Sequence, residues 1–140
     1  AAEVKDSGLE VLAVTVLTSI SESQLGALGY KDNLSLSQLV LDRARCAEKS
    51  GCAGVICSGE EVAAIKNICG AKFKAIVPGV RPAWGEVKAD DQSRIVTPKG
   101  AIANGADLIV VGRPIRDAKE PAVAAGKIVA EIESTMTNLG

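Results

Sequence analysis

Residues 53–77 read AGVICSGEEVAAIKNICGAKFKAIV. The stretch holds two short apolar runs, Ala53–Cys57 and Phe73–Val77, around a segment with helical marks. Ser58 and Glu61 have the S-x-x-E spacing of a capping box. Val62, Ile65 and Cys69 then recur at helical spacing, and Gly70 supplies a stop. A run, an amphipathic helix and a second run make a βαβ unit, so the two runs are expected to lie parallel.

The same pattern extends in both directions. Upstream lies the run Val11–Leu17 (VLAVTVL), then a helix opened by Ser35 and Gln38. Its stripe is Leu36, Leu39, Val40, Ala44 and Ala47, with Gly51 as the stop. Downstream, Thr97-Pro98 reads as an N-cap followed by proline at the first helical position, with closure at Gly105. The run Leu108–Val111 (LIVV) follows, and Pro121 opens a last helix with Val123, Ile128, Val129 and Ile132 inside. The order is β-α-β-α-β-α-β-α. Short, near-continuous, β-branched runs are typical of strands buried on both faces. Four such units point to a segment of an α/β barrel or to a doubly wound sheet. One long connection, from Pro78 to Val96, carries no periodicity and reads as a hydrophilic lid over a site.

Composition narrows the chemistry. The 140 residues weigh 14.3 kDa, a single domain's worth, and a chain of this size buries roughly 68% of its unfolded surface. Lys plus Arg number 16 and Asp plus Glu 17, a net charge of −1. That leaves no basic field for nucleic acid, and three aromatic residues (Tyr30, Phe73, Trp84) make no stacking platform. Histidine is absent, which removes Ser-His-Asp and Cys-His catalysis within the chain and every zinc site that needs imidazole. Cys46, Cys52, Cys57 and Cys69 form no C-x-x-C pair and are expected to be reduced core thiols. No apolar run is long enough to cross a bilayer, and Ala1–Glu10 lacks the regions of a signal peptide. A cytoplasmic setting without a membrane partner is the expectation.

Two loops carry the candidate chemistry. Pro78-Gly79-Val80-Arg81-Pro82 follows the third run and Gly112-Arg113-Pro114 follows the fourth. Residues just beyond parallel strands face the ligand site in α/β proteins. Glycine lets backbone amides approach an anion, and arginine forks two hydrogen bonds onto phosphate oxygens. Two such loops at equivalent positions favour a phosphate site over a pair of exposed turns. Thr15, Thr18 and Ser19 lie in or just past the first run. A hydroxyl there either reads a ligand edge or caps the segment Ser21–Leu28, and the residues alone leave both open.

Five motifs in order carry a family resemblance: LAVTVLTS (Leu12–Ser19), GVICS (Gly54–Ser58), PGVRP (Pro78–Pro82), DQSRIVTP (Asp91–Pro98) and GADLIVVGRPI (Gly105–Ile115). Together they resemble the C-terminal half of bacterial orotidine 5′-monophosphate decarboxylases, over essentially the whole chain from about Gly8. The resemblance implies an α/β chain of parallel strands forming strands five to eight of a (βα)8 TIM barrel, one half-barrel domain over residues 1–140. It implies the lyase reaction of pyrimidine biosynthesis, orotidine 5′-monophosphate to uridine 5′-monophosphate and carbon dioxide, without cofactor or metal. By match, Arg81, Gly112 and Arg113 bind the substrate phosphate. Gln92 sits on the closing loop and touches phosphate and pyrimidine, and Thr18 contacts the pyrimidine ring.

The family's catalytic lysine and D-x-K-x-x-D motif belong to the N-terminal half. Glu86–Asp91 offers only E-x-K-x-x-D in mid-loop, and Asp117-Ala118-Lys119 lacks the second Asp. No catalytic residue is therefore assigned, and the chain alone is expected to be inactive. Half a barrel leaves an apolar sheet face and two edges uncovered, so a complementary N-terminal half, self-association or a homodimer is expected. The other readings are a related sugar-phosphate lyase and a non-catalytic half-barrel that holds a nucleotide or phosphate. The pairs Thr18-Ser19 and Asp91-Gln92, which suit a pyrimidine, argue against the lyase.

Overall fold

A computed structural model describes residues 7–30, 34–85 and 94–136. Its strands are β1 (Leu12–Val14), β2 (Gly54–Ile56), β3 (Lys74–Val77) and β4 (Leu108–Ile109). Its helices are α1 (Leu36–Lys49), α2 (Val62–Cys69), α3 (Pro98–Ala103), α4 (Arg113–Arg116) and α5 (Pro121–Met136). The four strands form one parallel sheet in the order β1-β2-β3-β4. Among the described residues strand order never reverses, which is the sequential winding of a barrel segment.

Local chemistry explains the helices. Ser35 caps α1, its hydroxyl accepting from the Gln38 N–H at 3.1 Å, and all five residues of the expected stripe are buried. Thr97 caps α3 in the same way through Gly100 N–H at 3.0 Å, with Pro98 at the first turn. The α2 box forms only in part. Glu61 Oε2 accepts from the Ser58 N–H at 2.8 Å, but Ser58–Glu61 is a turn and the helix starts at Val62. In α5 the buried residues include Ala124 and Ile128, four apart, while Val123 and Val129 lie off that face and are exposed, contrary to their expected place inside.

Successive strand residues alternate between faces. Val55, Cys57, Ala75 and Val77 pack against Leu39, Val40, Ala44, Val62 and Ile65 of the helices in one core. At about 1.5–3 kcal/mol for each large aliphatic side chain fully buried, this layer is the main source of stability. Gly54 makes the β2–β3 approach possible: a Cβ there would lie 2.2 Å from the Lys74 carbonyl oxygen. On the far side of β3, Lys66 Nζ bonds Asp107 Oδ2 (2.7 Å) and the Phe73 carbonyl (2.8 Å). Asp107 also accepts from the Ala75 N–H at 2.7 Å, joining α2, β3 and β4.

The other face differs from the expectation of strands covered on both sides. Val14, Ile56, Ile76 and Leu108 form one register row across the sheet. Its two ends are open, Val14 at 53% and Leu108 at 59% exposure, while Ile76 between them is buried. The thiols also depart from expectation. All four cysteines are free, but only Cys57 is buried and Cys46 is exposed. Among the described residues no helix is long and apolar enough to cross a membrane.

Candidate functional site

Because the strands are parallel, the segments that follow them gather at one end of the sheet. There Thr18, Pro78, Gly79, Arg81, Val110, Gly112, Arg113 and Arg116 line a cleft of about 490 Å³. The cleft brings together Thr18, Arg81, Gly112 and Arg113 from loops more than ninety positions apart in the chain. Gln92, with Asp91 and the Glu86–Asp91 segment, lies outside the described residues.

Each wall has a local origin. Gly79, at φ +72°, takes the left-handed conformation that lets the chain turn at the end of β3. Val80 then pairs in parallel with Val96, and the Arg81 N–H donates to the Val96 carbonyl at 2.9 Å. The two ends of the long connection are thus held together, where the sequence showed only an unstructured stretch. Arg81 Nη1 donates to the Val80 carbonyl at 3.0 Å, which steadies the guanidinium at the rim. Gly112 precedes α4, whose four residues carry both Arg113 and Arg116.

Thr18 is buried and Ser19 exposed. Of the three hydroxyls first considered, Thr15 is committed to structure: its Oγ1 donates to the Ile56 carbonyl at 3.0 Å. Ser21 does begin a capping box with Gln24, but over a short 3-10 turn rather than a full helix.

Sequence reasoning missed three residues. Arg116 lies one helical turn past Arg113 and adds a third guanidinium to the cleft. It bonds Asp117 through Nε at 2.6 Å and Nη2 at 2.9 Å. That hydrogen bond holds the Asp117 carboxyl below the usual carboxylate range and raises Arg116. An Arg at i+3 on a helix starting at Arg113 was the available signal. Arg94 and Glu61 are the other two, a buried ion pair just outside the cleft lining. Burial pushes the Glu61 carboxyl up, and the Arg94 charge and the Ser58 N–H only partly offset it. Nothing local in the sequence joins two residues 33 positions apart.

Three arginines, with Arg116 paired to Asp117, make the cleft suited to an anion with several acceptor oxygens. Val110 offers the same cavity an apolar wall. Among the described residues no group of three or more His, Cys, Asp or Glu side chains is placed to hold a metal ion.

Known proteins give this arrangement a context. Residues 1–128 match the model of the orotidine 5′-phosphate decarboxylase / HUMPS family. An orotidine 5′-phosphate decarboxylase of Desulfosudis oleivorans is 49% identical over 138 residues, covering 97% of this chain and 55% of that protein. One from Paramagnetospirillum magneticum is 47% identical over 126 residues, covering 87% of this chain and 50% of its own length. Among solved structures, orotidine 5′-phosphate decarboxylase from Lactobacillus acidophilus superposes with a TM-score of 0.71 at 39% identity, covering 88% of this chain and 49% of that one. The chain spans about half the length of the curated relatives it matches. By its ordered motifs, its sequential parallel sheet and these matches, the chain belongs to the orotidine 5′-phosphate decarboxylase / HUMPS family.

Proposed function

We propose that this chain is the phosphate- and pyrimidine-binding half of an orotidine 5′-phosphate decarboxylase, the C-terminal half of a (βα)8 barrel with β1 to β4 as strands five to eight. Residues 1–140 act as one half-barrel domain. The observation that carries this reading is the meeting of Arg81, Arg113 and Thr18 in one cleft beyond the strand ends. The family match supports it.

In this reading Arg81, Arg113 and the Gly112 backbone hold the phosphate, with Gln92 as a further phosphate and pyrimidine contact. Thr18 meets the pyrimidine ring. Binding a remote phosphate contributes to the transition state by fixing the reacting ring where charge develops on carbon. The lysine that protonates that carbon, and the D-x-K-x-x-D motif, come from an N-terminal half, so the chain alone is inactive. The exposed ends of the sheet row, Val14 and Leu108, are where that half packs, or where a second copy does in a homodimer.

The test is direct. Uridine 5′-monophosphate should raise the thermal midpoint of the chain, and Arg113→Ala should abolish most of the rise. Losing one charge-assisted bond pair costs about 1.5–3 kcal/mol, roughly a ten- to hundredfold weaker dissociation constant. Mixing in an N-terminal half should restore loss of the orotate absorbance. A folded, complemented pair without turnover overturns the decarboxylase assignment, and a midpoint indifferent to nucleotide overturns the binding site.

A further inference from the structure

One buried residue links the exits of β1 and β2 through its guanidinium, and its own chain runs on into the exit of β3. Arg94 Nη2 donates to the Leu17 carbonyl at 3.0 Å and the Val16 carbonyl at 3.3 Å, just past β1. Its Nη1 donates to Glu61 Oε1. Glu61 takes the Ser58 N–H on its other oxygen, at 2.8 Å, just past β2. Two residues beyond Arg94, Val96 pairs with Val80 and receives the Arg81 N–H, just past β3. Leu17 is the residue before Thr18, and Arg81 follows Val80. Arg94 thus bonds the carbonyl just before Thr18 and stands two residues from the strand partner of Val80, while neither it nor Glu61 lines the cleft.

Stability alone is a poor reason for such a pair. Both side chains are nearly fully buried, and taking two charges out of water offsets most of their attraction. Apolar residues of the same size would serve a core at least as well. What the pair supplies is direction: a planar fork binding two carbonyls and a carboxylate at once, which neither an apolar side chain nor lysine reproduces.

We propose that Arg94 and Glu61 are positioning residues that set the spacing between Thr18 and Arg81, and so select a ligand that carries both a base and a phosphate over a sugar phosphate alone. This inference rests on the reading of the cleft as a nucleotide site. A ligand that spans both walls depends on their separation; one that meets only the arginines does not.

The experiment compares uridine 5′-monophosphate and ribose 5-phosphate binding by calorimetry, in the unaltered chain, Arg94→Lys and Glu61→Gln. The expected result is a loss of roughly tenfold or more for the nucleotide, the worth of about one misaligned hydrogen bond, with ribose 5-phosphate held within about twofold. Equal losses for both ligands, or none for either, overturn the proposal. A second measurement does not need a ligand. The Ile20 N–H donates to the Leu17 carbonyl at 3.0 Å, and the Arg81 N–H to Val96. Hydrogen exchange at these two amides should quicken in both variants while amides inside α1 keep their rates. If the unaltered chain binds neither ligand, the nucleotide reading fails, and the amide rates then decide the positioning role: unchanged rates at Ile20 and Arg81 overturn it. Arg94→Lys keeps the charge. If it does not fold, Glu61→Gln, which keeps an acceptor for Ser58, carries both measurements.

Discussion

Truncating the two ends of the open sheet row, Val14→Ala together with Leu108→Ala, separates association from folding. Both residues stand on edge strands, in one register row with Ile56 and Ile76. Val14 is 53% exposed and Leu108 59% exposed, so about half of each side chain is still to be covered by a partner. A buried methylene is worth about 0.8 kcal/mol. Alanine at Val14 therefore forfeits about 1 kcal/mol of the contact yet to be made, and at Leu108 about 1.5 kcal/mol. Jointly they weaken association by roughly 2.5 kcal/mol, about seventyfold in the dissociation constant. Sedimentation velocity over a concentration series reads this, with the chain alone and with an N-terminal half-barrel from a relative. The thermal midpoint of the isolated double variant should fall much less than for a buried pair such as Val40 and Ile65, which are fully covered. The reasoning is refuted if the dissociation constants of parent and variant coincide. It is equally refuted if the parent stays monomeric at every concentration, with and without the half-barrel.

Other outcomes follow from single contacts. Gly54→Ala forces a Cβ against the Lys74 carbonyl at 2.2 Å, a backbone atom that cannot swing away, so denaturant unfolding should show a loss of about 1–3 kcal/mol or more; an unchanged midpoint would contradict the close approach of β2 and β3. At pH 8 a thiol reagent should label Cys46 quickly and leave Cys57 unlabelled until unfolding, because burial, with a smaller push from Glu61, raises the Cys57 thiol to about 12. Mass mapping of the labelled peptides checks this, and early modification of Cys57 would count against its burial. Burial tends to raise Asp107, but the Lys66 and Ala75 hydrogen bonds outweigh it and hold the carboxyl below its ordinary value of 3.8. Its contribution is therefore whole above that value and is lost as the pH falls through the lower, folded one. Asp107→Asn should flatten this acid limb in a pH series of unfolding curves; identical limbs would show that the Lys66 pairing has no weight.

The helices were legible because their information is local. In α1 the cap at Ser35, the stripe from Leu36 to Ala47 and the turn at Gly51 all fall within seventeen consecutive residues. Periodicity read α1 correctly, as it read the order of four parallel strands; the expected Gly112-Arg113-Pro114 loop is instead the start of the short helix α4. It failed where a neighbour distant in sequence took over. Glu61 looks like a capping residue and does take the Ser58 N–H, yet its second oxygen binds Arg94, and the helix begins only at Val62. Val123 and Val129 fit an apolar tally but not the face that α5 turns to its neighbours.

The amino-acid order by itself determined the alternation of strands and helices, the absence of imidazole chemistry, and which loops follow the last two strands, since each depends on residue type and short-range spacing. Only the tertiary structure decided that Thr18, Arg81 and Arg113 line one cleft, that Arg94 and Glu61 link the exits of β1 and β2, and that the two edge strands leave Val14 and Leu108 exposed. Those are facts about distances between segments far apart along the chain, and parallel packing sets them.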